Sequence, residues 1–307
     1  MPAPATRVPV YLYGMIVYST INRLAGDFPE ADGYGEIAET HLVPGGEAGN
    51  AALILANWGY QVKVGGPFLG KQTREGVTSF LGNRGIDCSG LEYQPDFDGV
   101  RDWVVVGGQK RTVFGTFGRY FGGPRRWSDP DPRAIAASRV VGVDPFFGLE
   151  SEKVAEICSS CSKPWVTIDC PPASPLHKGA AATVVSNEYL RSQFPGEDPR
   201  RVLGLYCASG SGLVVFTFGS SDILFARGGG VIQGLRPYRV EARSTLGAGD
   251  AFRAGVIHGI ASGLDDTGIV RFAAATAAVS CTRVPIALYP PGLDEVTSLA
   301  SERGQAG

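Results

Sequence analysis

The stretch that decides the fold reads Ser244-Thr245-Leu246-Gly247-Ala248-Gly249-Asp250-Ala251-Phe252. Residues 237–241 before it have the alternation of a short strand, and the apolar residues from Phe252 to Ile260 recur at helical spacing. The two glycines therefore lie where an extended segment becomes a helix.

A junction of this kind suits an anion. The first N–H groups of a helix have no intrahelical acceptor, and the positive end of the helix dipole lies behind them. Gly247 and Gly249 leave the backbone accessible, and Asp250 in the first helical turn is placed to accept a proton from an attacking hydroxyl. We therefore hypothesise phosphoryl transfer to an alcohol. Taken alone, the stretch fits a glycine-rich turn with a capping aspartate equally well.

Composition and charge limit the function classes. The 307 residues are 44% hydrophobic and 19% charged, which is typical of a globular chain. There are 28 Lys and Arg against 30 Asp and Glu, and a net charge of -2 gives no electrostatic reason to bind nucleic acid or an anionic membrane. No segment has the length of a membrane span or the apolar stretch of a signal peptide. We expect a cytoplasmic protein with a small-molecule partner.

The chain alternates between strands and helices. A buried strand is predicted over 8–15, and a second glycine turn at 44–50 leads into a helix over 51–59. Residues 100–117 interrupt this order because they read as an antiparallel hairpin around a turn at 107–110. Such a hairpin is expected to leave the main sheet and form a flap.

Polar residues stand at the ends of four later predicted strands. They are Asp144, Asp169, Asn187 and Thr217. In an open parallel sheet, ligands collect beyond the carboxyl ends of the strands. Each residue singly is an ordinary turn residue, but together with two glycine turns they predict one binding site.

Other phosphate and metal motifs are incomplete. Residues 65–72 nearly spell a P-loop, but Gln72 stands where a magnesium-binding hydroxyl is needed, and Pro67 removes one amide. No dinucleotide-binding Gly-x-Gly-x-x-Gly follows a strand, which argues against a nicotinamide oxidoreductase. The three histidines lack the spacing of zinc ligands.

Taken in order, four features resemble the ribokinase-like (PfkB) family of carbohydrate and nucleoside kinases. They are Gly45-Gly46-x-x-Gly49-Asn50-x-Ala52, the hairpin flap, Thr217-x-Gly219 and Gly247-Ala248-Gly249-Asp250-Ala251-Phe252. The resemblance implies a three-layer α/β/α fold with a mostly parallel central sheet and a small antiparallel β-sheet lid. It implies a single kinase domain over 1–307, with the lid contributed by about 16–43 and 99–118.

The resemblance also implies roles for individual residues. ATP and Mg²⁺ would be the cofactors, and a γ-phosphate would pass to a sugar-type hydroxyl. Asp250 would be the base, and the anion hole would be formed by Gly247, Ala248 and Gly249. The expected nucleotide-site residues are Thr217, Gly219, Asn187, Asp169 and Ala274. The expected acceptor-site residues are Gly45, Gly46, Asn50, Asp144 and Ser19.

The chain departs from the family pattern at several positions, including the loop at 282–285, which lacks the customary glycine. Ser19 stands where the family has a sugar-binding aspartate, and Asp144 is expected to compensate for it. Ser244 replaces the aspartate associated with a monovalent cation. In the magnesium motif Asn-x-x-Glu, Leu190 takes the glutamate position, and Glu188 would substitute only with a shifted register. The residues of a metal site are therefore left open.

Three functions remain open from the sequence. The first is a kinase of a small sugar or sugar-like acceptor. The second is a nucleoside kinase, with lid aromatics Trp103, Phe114 and Phe117 stacking on a base. The third is a catalytically impaired sugar- or nucleotide-binding protein on the same fold. For each of them the family lid implies a homodimer.

Overall fold

The computed structural model describes residues 8–108 and 110–302. Gln109, in the predicted hairpin turn, and both ends of the predicted 1–307 domain lie outside the described residues. Within the described part, strands form one sheet of nine and one of four. The strands are β1 Pro9–Tyr13, β2 Val17–Leu24, β3 Ile37–Gly45, β4 Gln61–Gly65, β5 Asp87–Gly90, β6 Arg101–Gly107, β7 Lys110–Gly115, β8 Val140–Val143, β9 Trp165–Ile168, β10 Ala182–Ser186, β11 Leu213–Phe218, β12 Ser221–Arg227 and β13 Gln233–Leu235.

Helices cover both faces of the larger sheet. They are α1 Glu47–Asn57, α2 Arg74–Gly82, α3 Phe117–Phe121, α4 Pro132–Ala137, α5 Leu149–Ser160, α6 Pro175–Lys178, α7 Asn187–Gln193, α8 Pro199–Ser209, α9 Ala248–Ala261, α10 Asp266–Cys281 and α11 Leu293–Glu302. None of them has both the length and the hydropathy needed to cross a membrane, judged over the described residues.

The nine-stranded sheet has the order β13-β12-β11-β10-β9-β8-β1-β4-β5, and only the pairs β11–β12 and β12–β13 are antiparallel. Side chains of a strand point alternately to its two faces. Val10 and Leu12 of β1 accordingly pack into the cluster that includes α1, α9 and α10, whereas Tyr11 and Tyr13 pack into the cluster that includes α5. The predicted three-layer α/β/α fold is confirmed.

The four-stranded sheet has the order β3-β2-β6-β7 and comes from the two segments predicted to form a lid. Its outer pairs are antiparallel, but β2 and β6 run parallel. The smaller sheet is thus mixed rather than fully antiparallel. The parallel pair is possible because β2 and β6 are joined by a long crossover through the main sheet, not by a tight turn.

The strand predicted over 237–241 is wrong. The chain forms β13 before it and is irregular from 236 to the start of α9. Pro237 has no N–H to donate to a strand partner, which disfavours a ladder at this point. The glycine junction is therefore reached from a loop, and its conformation depends on the contacts of α9.

α9 and α10 pack closely because a glycine faces the partner backbone. A Cβ built on Gly255 would lie 2.5 Å from Ala273 Cα and 2.9 Å from Thr276 Oγ1. Backbone at such a distance cannot move aside as a flexible side chain can. Since α9 also carries Asp250, this contact fixes the helix that holds the candidate base.

Gly255→Ala is expected to lower the free energy of unfolding by about 1–3 kcal/mol, because it overpacks this contact. Urea unfolding measures the change. Gly204→Ala in α8 is the matched control, since no heavy atom lies within 4 Å of its added Cβ. There the better helix propensity of alanine should raise stability by up to about 1 kcal/mol. Equal effects at both positions would contradict the packing argument.

Candidate active site

The glycine junction lies at the N-terminus of α9. Gly247 precedes the helix in the left-handed conformation, with φ of 76°, which favours glycine. Around Gly249 no heavy atom lies within 4 Å of where a Cβ would be, so its backbone borders open space. The amides at this end of the helix have no intrahelical acceptors and are accessible to an anion.

Asp250 is held by a residue from the second glycine turn. Asn50 Nδ2 donates a hydrogen bond of 2.7 Å to Asp250 Oδ2. Asn50 lies in the first turns of α1, directly after Gly45 and Gly46, and α1 packs against α9. The two glycine motifs, which are far apart in the chain, therefore meet at one carboxylate.

The environment of Asp250 changes its acidity. Burial raises the pKa of Asp250 to about 6, and the hydrogen bond from Asn50 opposes this rise. Removal from water and the charges of Asp250 and Asp144 raise the pKa of neighbouring Glu47 to about 8. Glu47 and Asp250 therefore titrate as a pair, and each carboxyl group keeps its proton to a higher pH than a carboxyl group in water does.

Asp144 is not placed to bind an acceptor, contrary to the prediction. Its side chain is 0% exposed, and its carboxylate accepts a 2.7 Å hydrogen bond from Met15 N and an ion pair from Arg253 Nη1. Burial raises the pKa of Asp144, and the charge of Arg253 opposes the rise. The strand-end rule predicted correctly that Asp144 lies at the carboxyl edge of the sheet. Its charge is neutralised there by buried Arg253.

A cavity of about 480 Å³ lies between the carboxyl edge of the larger sheet and the smaller sheet. It brings together predicted residues from both halves of the expected site. Those lining it are Ser19, Gly45, Gly46, Asn50, Asp169, Thr217, Gly247, Gly249 and Asp250. Asp250, the turn at Gly247–Gly249 and the turn at Gly45–Gly46 therefore line one cavity.

Four other predicted residues do not line this cavity. Ala248 N donates to Thr245 O at 3.3 Å, so this amide faces the loop. Ala274 is buried in the core around α10, and Gly219 lies in the exposed turn between β11 and β12. Asn187 is the first residue of α7 and is partly buried.

The structure distinguishes the two positions considered for magnesium. Leu190 packs in the hydrophobic cluster with α8, whereas Glu188 is exposed and lines the cavity. Both Asp169 oxygens accept hydrogen bonds from Ser186. No group of three or more His, Cys, Asp or Glu side chains is arranged for a metal within the described residues. This donor set fits Mg²⁺ held mostly by phosphates and water, with one carboxylate from the protein.

Besides Glu47, three charged residues of the cavity were missed by the sequence interpretation: Asp102, Arg111 and Arg253. Arg111 of β7 donates from Nη1 to Thr245 Oγ1 at 2.7 Å, which joins the smaller sheet to the anion-binding turn. A signal existed for the other two, because Asp102 interrupts an apolar strand and Arg253 interrupts the apolar run of α9.

The aromatic residues proposed for base stacking divide between two faces. Trp103 and Phe114 are cross-strand partners, are 40% and 57% exposed, and do not line the cavity. Phe117 does line it, together with Phe121 and Phe146. Stacking by Trp103 and Phe114 inside this cavity is therefore excluded by the strand pairing.

Comparisons with known proteins agree with this geometry. Residues 190–287 match the family model described as pfkB family carbohydrate kinase. No curated protein sequence matches the chain. A solved protein from Agrobacterium tumefaciens, assigned as a ribokinase, has a TM-score of 0.86 at 21% identity and covers 97% of this chain and 99% of its own.

Two further structures share the fold over nearly all of the chain. Arabidopsis thaliana ribokinase, solved with ribose and ATP, has a TM-score of 0.79 at 17% identity, covering 96% of this chain and 99% of its own. The nucleoside kinase of Methanocaldococcus jannaschii has a TM-score of 0.73 at 15% identity, covering 97% and 100%. The resemblance to the ribokinase-like (PfkB) family is confirmed.

Asn50→Leu is expected to raise the pKa of Asp250 above about 6, because it removes the hydrogen bond that stabilises the carboxylate. Carboxyl ¹³C NMR titration measures this, with Asp250→Asn identifying the signal. Asn83→Leu, at the exposed end of α2, is the matched control and should leave the titration unchanged. An Asp250 pKa that stays the same in Asn50→Leu would show that the hydrogen bond does not stabilise the charge.

Proposed function

We propose that this protein catalyses the ATP-dependent phosphorylation of a hydroxyl group on a small sugar or sugar-like acceptor. The observation that carries the proposal is the Asp250 carboxylate. It is bound by Asn50 and lies beside the accessible turn at Gly247 and Gly249, in one cavity. The family-model match over 190–287 supports the same class of reaction.

Asp250 is the proposed general base. A base works best when its pKa lies near the working pH, and burial brings the pKa of Asp250 to about 6. The carboxylate takes the proton of the acceptor hydroxyl as the oxygen attacks the γ-phosphorus. The bond from this phosphorus to the bridging oxygen breaks, the electron pair leaves with ADP, and the acceptor keeps the phosphoryl group.

The N-terminus of α9 is the proposed anion hole. During transfer, negative charge is spread over the oxygens of the moving phosphoryl group. The accessible backbone at Gly247 and Gly249 and the helix dipole supply fixed positive potential at this position. The amide of Ala248 contributes less, because it faces Thr245 O.

The other end of the cavity is the proposed nucleotide site. Thr217 at the end of β11 and Asp169 after β9 line it. Glu188 is the protein carboxylate best placed for Mg²⁺, either directly or through water. Bound Mg²⁺ neutralises phosphate charge. Arg111 reaches Thr245 from the smaller sheet and adds a protein cation beside the anion-binding turn.

The smaller sheet acts as a lid in this proposal. Its apolar residues Val17, Ile21, Val104 and Val113 line the same cavity as the base. A closed apolar cover excludes water, which would otherwise compete with the acceptor for the phosphoryl group.

A nucleoside acceptor is the second candidate, because Phe117, Phe121 and Phe146 line the cavity and could stack on a base. The comparison structure from Methanocaldococcus jannaschii is a nucleoside kinase with the same fold. ADP release measured with adenosine and inosine against D-ribose and D-fructose separates the two candidates. Higher kcat/KM for the nucleosides would favour the second.

We also propose that the outer face of the lid forms a homodimer with a second copy of the chain. Leu42, Trp103 and Phe114 lie on this face and are largely exposed. Sedimentation velocity of the full chain tests this proposal, and a monomer at high micromolar concentration would contradict it.

Asp250→Asn is expected to reduce turnover by about 10²–10⁴-fold, because it removes the base while keeping the shape of the side chain. Binding of ATP, followed by calorimetry, should be nearly unchanged. Burial raises the pKa of Asp250, so the ionised carboxylate disfavours folding above pH 6. The melting temperature of the variant at pH 8 should therefore equal or exceed that of the wild type.

Asp294→Asn is the matched control, since Asp294 is exposed at the start of α11, and it should keep wild-type turnover. Near-normal turnover of Asp250→Asn would contradict the proposed role of Asp250 as the general base. If the wild type binds ATP but releases no ADP with any sugar or nucleoside of the panel, the protein is a binding protein instead.

A further inference from the structure

Asp102 is a buried carboxylate with no assigned role. It lies on β6 and is 8% exposed, and its Oδ1 has no hydrogen-bond partner among the described residues. It lines the cavity that also contains Asp250. Burial raises the pKa of Asp102, and an interaction with the Ser19 hydroxyl opposes the rise.

The strand register places Asp102 on the inner face of the lid. Asp102 is opposite Ser19 of β2 and Gly115 of β7, and Ser19 is opposite Val43 of β3. Trp103, the next residue, points to the outer face, as expected for the alternation of a strand. The inner row therefore carries one carboxylate and one hydroxyl among small or apolar side chains.

A carboxylate in such a place is unfavourable for the free protein. Ionised groups removed from water need hydrogen-bond donors, and a buried oxygen without a donor calls for an explanation. Val104 and Val113 beside it on the same face have no donor groups to offer. The Ser19 hydroxyl interacts with the Asp102 carboxylate, and a bound molecule in the cavity could supply the donor that Oδ1 lacks.

The charges of the cavity restrict the nature of that molecule. Glu47 and Asp250 line the same space as Asp102. Of the two cations, Arg253 is paired with buried Asp144, and Arg111 donates to Thr245 beside the anion-binding turn. Neither arginine is therefore ion-paired with Asp102 or Asp250 within the described residues, and the charge of these carboxylates disfavours a bound anion.

Resting on the proposed function, we propose that Asp102 is the residue that selects the acceptor. Its carboxylate accepts a hydrogen bond from a donor group of the acceptor other than the hydroxyl that is phosphorylated. Hydroxyl and protonated amine groups are both donors of this kind. Neutral polyols and amino sugars are therefore accepted, and sugar acids are rejected.

The test compares wild type with Asp102→Leu, Asp102→Asn and the control Asp294→Asn. The acceptors are D-ribose, D-fructose and adenosine, the amine D-glucosamine, and the acid D-gluconate. For the preferred acceptor, Asp102→Leu should raise KM about 10- to 100-fold, because one hydrogen bond to a charged group is lost. KM for ATP should not change, and Asp102→Asn, which keeps an acceptor oxygen, should have an intermediate KM.

Stability distinguishes this role from a structural one. If Asp102 binds the acceptor, the melting temperature of Asp102→Leu without acceptor should equal or exceed that of the wild type, because the substitution removes a desolvated carboxylate. A structural role predicts a lower melting temperature and a change in KM for both substrates. That result, an unchanged acceptor KM, or a preference for D-gluconate would overturn the inference.

The arms of the panel also separate the two donor types. A better kcat/KM with D-glucosamine than with the neutral acceptors identifies an ammonium donor, and the reverse order identifies a hydroxyl. If the wild type releases no ADP with any acceptor, the proposed function fails, and thermal shifts with the same panel decide the inference. A shift that Asp102→Leu loses supports it, whereas equal shifts or no wild-type shift overturn it.

Discussion

The arrangement of the site depends on one buried ion pair, between Asp144 and Arg253. Asp144 follows β8 and also accepts the amide of Met15, which follows β1. Arg253 is less than one turn of α9 after Asp250. The pair therefore ties the helix that carries Asp250 to the carboxyl ends of the two central strands.

Such a pair is a positioning device more than a source of stability. Taking both charges out of water offsets most of their attraction, but leaving either one alone in the interior is strongly unfavourable. The pair therefore favours the placement of α9 against the sheet that keeps the two groups in contact. Two Arg253 nitrogens, Nε and Nη2, lack partners in the described residues, so the geometry of the single Nη1 contact sets that placement.

The parts of the site that the sequence predicts are the local ones. A glycine junction at Gly247, the turn at Gly45 and polar strand ends are each visible within a few residues. The partner of a buried charge is not visible in this way, because Asp144 and Arg253 are 109 residues apart. For this reason the sequence predicts the position of Asp144 at the carboxyl edge of the sheet correctly. It does not predict that the partner of Asp144 is Arg253 rather than the acceptor. The irregular approach to α9 was likewise missed, since contacts outside the segment decide its conformation.

The lid shows a second limit of sequence reasoning. Alternation predicts that β6 has two faces but does not state which face is inside. Pairing with β2 decides this, and it places Asp102 inside and Trp103 outside. Trp103 and Phe114, the aromatic pair predicted to stack on a nucleoside base, therefore point outward. Asp102, which the sequence analysis did not predict as a site residue, lines the cavity.

The hairpin of β6 and β7 places two side chains of opposite charge along the cavity. Asp102 and Arg111 lie on its inner face, four residue pairs apart in the ladder of β6 and β7. Arg111 reaches the turn before α9, where phosphate charge is expected, and Asp102 faces the acceptor end. A lid with this polarity complements an anionic donor beside an uncharged or cationic acceptor. In the proposed reaction, binding of the acceptor by Asp102 and neutralisation of phosphate charge by Arg111 would both depend on the register of this one strand pair.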